Sequence, residues 1–219
     1  LDTVAGSLEA NTATGGATAV VNQPFYVGIN DPLGLNPFKT PFTPVIFTLY
    51  NDAWVNAASG NARTQRASIV RGQTLFNSKP INITNVGGLN DATGLSVIKG
   101  TCGTCHDAPN AGNHSISAPL NIGVSDVNSP LDVKYLPVIT LRQKKGGHAV
   151  ISTTDPGRAL ITGKWADIGK LKGPVLRGLA GRAPYFHNGS AAGLEEVLDF
   201  YNVRFAMGLT EQEKNDLVA

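Results

Sequence analysis

Cys102-Gly103-Thr104-Cys105-His106 constrains this chain more than any other feature, because it contains both of the chain's cysteines. With no further cysteines there is no disulfide framework, so stability must come from a packed core or a bound group. Two thiols three positions apart on one helical turn can reach the two vinyl groups on one edge of a porphyrin. The next residue then offers its imidazole to the iron. This is the attachment pattern of haem c. It makes Cys102, Cys105 and His106 the candidate residues for one covalent haem, with His106 as an axial ligand of the iron. A zinc site would need further cysteines, or histidines at finger spacing, and His114 and His148 do not stand at that spacing. A redox dithiol expects a strand leading into a helix, whereas this motif lies in a Gly- and Thr-rich stretch.

The rest of the composition narrows the class. A chain of 219 residues can form one substantial domain or a smaller one with long extensions. Hydrophobic residues at 42% and charged residues at 16% fit an ordered, soluble chain. A net charge of +2 gives no argument for nucleic acid or an anionic membrane as partner. No apolar run approaches the roughly 20 residues of a membrane-spanning helix; the longest candidate, 44–55, is broken by Asn51 and Asp52. Leu1-Asp2-Thr3 carries no basic start and no apolar core follows. An exported chain is therefore expected to have lost its leader. The helical pattern runs to Ala219, so further residues beyond it are expected too.

Along the chain, residues 1–61 are rich in Gly, Thr, Asn, Ala and Pro, and read as an irregular N-terminal extension that wraps the core. Ala67, Val70, Thr74 and Leu75 share one side of a helix over 64–77. Residues 78–100, with Gly87-Gly88 and Asn90-Asp91, read as a loop. The apolar, β-branched stretches 135–142 and 148–153 flank turn residues and read as a β-hairpin. Helices are expected at 193–201 and 210–218, the second opened by a capping box of Thr210 and Glu213.

Arg71-Gly72, Leu75-Phe76, Cys102 to His106, and Asn121-Ile122-Gly123-Val124 recur in order with Asp155-Pro156-Gly157-Arg158 and Lys172 to Arg177. The series is strongest across Ala183-Pro184-Tyr185-Phe186-His187-Asn188-Gly189-Ser190 and Leu194-Glu195-Glu196-Val197. In these segments, about two thirds of the chain, the sequence resembles the C-terminal haem domain of bacterial di-haem cytochrome c peroxidases and the related MauG enzymes. The resemblance implies a mainly α, cytochrome c-type fold and an electron-transfer haem. The di-haem enzymes carry two C-x-x-C-H motifs and this chain has one, so the family's peroxidatic haem has no counterpart here. The stretches 78–100 and 125–153 are longer than the family pattern and stand as insertions in a haem domain spanning 62–219.

Several residues could complete the haem's surroundings. Met207, the only methionine, lies between the last two expected helices and is the leading candidate for the sixth iron ligand. Tyr201 competes with it: in the resemblance it falls where the peroxidases carry a ligand Met and MauG a ligand Tyr. A histidine or an open position are the remaining alternatives. Arg177 falls in the family's Leu-Arg stretch, where a guanidinium could pair with a haem propionate. The carbonyl of Pro109 or of Pro119 could fix the His106 tautomer. His187 is expected to be a hydrogen-bonded structural residue.

The expected function is one-electron transfer through one haem c, to a redox partner protein and outside the cytoplasm, in the periplasm or an equivalent exported location. The rival is a peroxidase-like haem protein, or a redox subunit of a larger peroxidase or MauG-type complex, which needs an open distal position and a base such as Glu195, Glu196 or His187.

Overall fold

In the computed structural model, residues 45–106, 119–174, 176 and 178–219 are described. The regular structure among them is mostly helical, with two small two-stranded sheets. In chain order the main elements are α1 (Asp52–Asn56), α2 (Gly60–Ser78), β1 (Ile81–Thr84), α3 (Asn90–Thr93) and β2 (Val97–Gly100). A 3-10 turn at Cys102–Thr104 follows. Then come β3 (Ile139–Arg142), β4 (Val150–Thr153), α4 (Ala159–Thr162), α5 (Leu194–Arg204) and α6 (Glu211–Val218).

The α2–α6 crossing organises the fold. Gly72 is the buried residue of α2, and it faces the backbone of Asp216 and Leu217 in α6. Without a side chain there, the two helix backbones meet directly. Asp216, 3% exposed, accepts from Ser68 Oγ at 2.6 Å, from Arg71 Nε at 2.7 Å and from Gln212 Nε2 at 2.9 Å. Arg71 and Ser68 hold its carboxyl below the usual carboxylate range against the opposing cost of burial. Thr210 and Glu213 form the expected capping box, with Glu213 N–H on Thr210 Oγ1 at 3.2 Å and Thr210 N–H on Glu213 Oε2 at 2.9 Å. The apolar face expected on α2 is only part of the story, since Thr74 is exposed and the close approach belongs to glycine.

The segment 45–50 lies along α2, held by two side-chain amides. Asn77 accepts from Ile46 N–H and donates to the Phe47 carbonyl, at 2.9 and 2.7 Å. Gln73 does the same for the N–H and C=O of Tyr50, at 3.1 and 2.9 Å. Ile46 is buried and Phe47 packs edge-on against Phe76 at 5.0 Å. Of the irregular extension expected over 1–61, residues 1–44 lie outside the described residues, and α1 and the start of α2 make part of 52–61 helical.

The largest departure from expectation is residues 78–100, which are not a loop. They form an antiparallel pair, Ile81 opposite Gly100 and Ile83 opposite Ile98, with α3 between the strands. They also hold three almost fully buried aliphatic residues, Ile83, Val86 and Leu89. Asn90, which reads as a turn residue, is buried: its Oδ1 accepts from Val86 N–H, and its Nδ2 donates to the carbonyls of Ile83 and Leu95. A buried side-chain amide that satisfies backbone groups does what extra secondary structure would otherwise do.

Two apolar clusters result. One joins Ile81, Ile83, Val86, Leu89 and Leu120 to Phe205, Met207 and Leu209. The other centres on Phe200 and Ala191, with Val124, Leu131 and Val133. Burying Phe200 contributes about 1.5–3 kcal/mol. The hairpin appears where expected, with shorter strands: Ile139 pairs with Thr153 and Leu141 with Ile151. Thr153 and Thr154 anchor its base on the Ser125 carbonyl.

Candidate haem site

The cysteine pair sits where β2 ends against the first cluster. Gly100 permits this, because a Cβ there would collide with Thr104 Oγ1 and lie 2.8 Å from Ile83 Cδ1. The chain then turns sharply. Thr101 N–H donates to Thr104 Oγ1 at 3.0 Å, and the Cys102 carbonyl accepts from the N–H of Cys105 and of His106, at 3.3 and 3.0 Å. Gly103 and Thr104 are buried, which fixes the turn, while both cysteines are half-buried, not joined in a disulfide, and packed on the first cluster.

Burial sets the chemistry of these groups. Desolvation pushes the Cys102 thiol up to about 11 and pulls the His106 imidazole down to about 4. His106 is therefore neutral, with a free lone pair, which is the form that binds a metal. Its ring lies 6.1 Å from that of Phe76, and its Nδ1 is out of solvent with no hydrogen-bond partner among the described residues. Two cysteine side chains, one neutral imidazole and an aliphatic wall suit a large apolar ring with a metal at its centre. Among the described residues no three His, Cys, Asp or Glu side chains gather as a site for a bare metal ion. The donor set thus fits haem c.

Tyr201, on α5, packs between the two clusters. Burial raises its phenol well above the ordinary value, and the Cys105 and Cys102 sulfurs add to the shift. Its ring stacks on Phe205 at 6.2 Å and meets Phe200 at 5.4 Å and Phe186 at 6.4 Å. Met207, 9% exposed, belongs to the first cluster. Asn202 folds the link between α5 and α6 around it: the Asn202 carbonyl accepts from Met207 N–H at 3.1 Å, and its Oδ1 from Leu209 N–H at 2.9 Å. Gly208, at φ +63°, makes the bend. Both candidate sixth ligands therefore pack on the cluster that carries the cysteine pair.

Other expected residues fall elsewhere. Arg177, Pro109 and His114 lie outside the described residues. The Pro119 carbonyl faces Gly88, so Pro119 is not the acceptor for His106 Nδ1 in this structure. His187 is tied down: its Nε2 is 3.2 Å from Asp155 Oδ2 and 3.4 Å from Ser125 Oγ. Both contacts fall on one ring nitrogen, which joins the loop to the hairpin base and does not make a Ser-His-Asp relay.

Sequence reasoning missed Arg204. Its guanidinium donates to the carbonyls of Ile122, Thr84 and Asn85 at 2.9–3.0 Å and lies 4.7 Å over the Phe205 ring. It thus ties the end of α5 to the sheet behind the cysteines. Only its place in the last turn of a helix could have hinted at this.

A cysteine pair and a neutral histidine on an apolar wall agree with the proteins to which this sequence aligns. Over 131 residues, 55% of this chain, it is 33% identical to cytochrome-c peroxidase IdrP2 of Denitromonas iodatirespirans, covering 35% of that protein. Cytochrome-c peroxidase IdrP1 of the same organism is 33% identical over 138 residues, covering 55% of this chain and 36% of the relative. The corresponding IdrP1 of Pseudomonas sp. (strain SCT) is 28% identical over 179 residues, covering 74% of this chain and 41% of the relative. The chain is a distant homologue of bacterial cytochrome-c peroxidases. This homology implies a haem redox protein. The chain spans about a third to two-fifths of the length of these peroxidases. No family model matches it, and no solved structure matches it. Among the described residues no helix is long and apolar enough to cross a membrane.

Proposed function

We propose that the chain is a mono-haem c-type cytochrome of cytochrome c-type fold that passes single electrons to a partner protein outside the cytoplasm. The observation that supports this reading is His106: a neutral imidazole whose Nδ1 is out of solvent and has no hydrogen-bond partner among the described residues, directly after two cysteines that pack on an apolar wall. Cys102 and Cys105 would hold the haem through thioethers, and His106 would bind its iron. The haem supplies reversible ferrous–ferric chemistry when bound. The chain's own residues exclude water through Leu89, Ile83, Met207 and Leu209, and hold the imidazole in its neutral form.

Met207 as sixth ligand suits this role, since a thioether favours ferrous iron and must leave before peroxide can bind. The groups named as peroxidatic bases also weigh towards electron transfer. Glu196 accepts from Ala192 N–H at 2.6 Å, His187 is held by Asp155 and Ser125, and Glu195 is exposed on the first turn of α5.

A second reading rests on Tyr201, which packs on the same apolar cluster as both cysteines. A phenolate on the iron stabilises the ferric state and lowers the potential, which would place the chain with MauG-type and peroxidase-type haem proteins. The optical spectrum of the oxidised protein tests both. A long-wavelength thioether-to-iron charge-transfer band supports the electron carrier. High-spin bands with fast peroxide turnover overturn it.

A further inference from the structure

The β3–β4 hairpin adds little to the core, yet exposed apolar surface and positive charge are gathered on it. Of the four residues in each strand only Thr153 is buried. Strand pairing sorts the side chains onto two faces. Thr140 and Ser152 share one face with Arg142 and Val150, and their hydroxyls lie 3.2 Å apart. Ile139, Leu141 and Ile151 share the other face, ahead of Thr153 at the base. Ile139 and Ile151 are exposed there, and Tyr135 and Val138, on the approach to β3, are 62% and 59% exposed. The body of the fold thus leaves an apolar strip along the hairpin open to solvent, which is unusual for so small an element.

Charge is segregated to the same place. Residues 133–154 contain Lys134, Arg142, Lys144 and Lys145, all exposed, and no acidic residue. The whole chain has 18 Lys and Arg against 16 Asp and Glu, so outside the hairpin 14 cations face 16 anions and the balance turns negative. Lys144 and Lys145 form the tip, between Gln143, whose N–H donates to the Ala149 carbonyl at 2.9 Å, and Gly146 at φ +78°. None of the four cations is in a salt bridge among the described residues. Charge on an open strand pair guards against edge-to-edge aggregation, but a guard works with either sign. Here every charge is positive, and an anionic surface is what complements it.

We propose that the β3–β4 hairpin is a docking arm for a partner protein whose surface carries an apolar patch rimmed by carboxylates. Entry into a membrane would lead with the tip, and the tip is the polar run 143–148, with the apolar residues behind it. A second copy in a two-fold pair would set this positive charge against its own. A protein surface lying along the hairpin meets both features at once. Its apolar centre covers Ile139 and Ile151, and its carboxylates pair with Arg142, Lys144 and Lys145 at the rim.

A zero-length carbodiimide cross-linker joins a lysine amine to a carboxylate only where the two touch, and it is applied to the full chain in an extract of the cells that make it. Peptide mapping should find Lys144 or Lys145 joined to Asp or Glu of one protein. With that protein purified, binding is measured by calorimetry at low and high salt, and it should weaken as salt rises. Lys144→Glu with Lys145→Glu should weaken it about tenfold or more, because like charges then meet across the interface. The reversal keeps the tip charged, so if the lysines only guard against aggregation it leaves binding unchanged. Ile139→Ser with Ile151→Ser should also weaken binding about tenfold, by removing the apolar centre. Circular dichroism confirms that each variant is folded, and the exposed lysine pair carries the result if the serine pair unsettles the hairpin. No cross-link from the tip, links scattered over many proteins, or binding indifferent to charge reversal overturns the docking arm. Co-sedimentation of the wild type with phosphatidylglycerol vesicles, retention on duplex DNA, or a dimer that the lysine variant breaks also overturns it, and assigns the hairpin to that occupant instead.

Discussion

Gly72 and the carbonyl oxygen of Asp216 are in such close apposition that a Cβ on Gly72 would collide with the oxygen and lie 2.7 Å from the carbonyl carbon. The obstacle is backbone on both sides, so no rotamer change relieves it. Gly72→Ala should therefore destabilise the fold even though alanine is the better helix former. The expected loss is about 1–3 kcal/mol, the range for overpacking a close contact. Urea unfolding followed by circular dichroism measures it, and a variant as stable as the wild type would mean that the helices can part without cost.

The Arg71–Asp216 pair beside it makes stability depend on pH. Hydrogen bonds from Arg71 and Ser68 lower the folded-state pKa of Asp216 below the usual carboxylate value. The stabilisation is therefore complete above pH about 4 and is lost as pH falls through the depressed folded value. Asp216→Asn should flatten that acid limb. Arg71→Ala should cost about 1–2 kcal/mol at neutral pH, towards the low end because Arg71 is half exposed and solvent screens its charge. Melting temperatures from pH 3 to 7 read both effects.

Covalent attachment is tested at the cysteines one at a time. Cys105→Ala should leave a single thioether, seen as a shifted reduced α-band in the pyridine haemochrome. Cys102→Ala with Cys105→Ala should leave haem that acid–acetone extracts. Extraction of all the haem from the wild type would refute covalent attachment.

The sixth ligand is separated by two conservative changes. Met207 is buried in an aliphatic cluster, so truncating it to alanine would cost about 2–5 kcal/mol and confuse packing with ligation. Met207→Leu keeps the volume and removes only the thioether sulfur. If Met207 binds the iron, this variant loses the charge-transfer band and its midpoint potential falls, while Tyr201→Phe leaves both nearly unchanged. The reverse pattern assigns the iron to Tyr201.

Legibility of the sequence followed the physical character of each signal. The cysteine–histidine spacing, the Thr210–Glu213 box and the hairpin at 139–153 are local patterns, and each appears in the structure. What escaped is non-local. Gly72 looks like an ordinary helix interruption until α6 is laid across it, and Asn90 looks like a turn residue until its amide is found among backbone groups at positions 83, 86 and 95. Residues 78–100 misled because glycine and asparagine mark both open loops and tightly folded backbone. The alternation of Ile81 and Ile83 was the stronger cue. At the candidate site the motif was plain from the sequence, but the neutral state of His106 depends on what surrounds it.

The clasp between α2 and α6 joins Ser68 to Asp216, 148 positions apart. Contacts of such long range make folding slow, because the intervening chain must be ordered before the contact is gained. As the chain is synthesised, its two thiols are complete more than a hundred residues before the clasp can shut. The order of manufacture thus leaves a period in which Cys102 and Cys105 are reachable and the walls around them are still apart. Asp216 is a latch that arrives long after them.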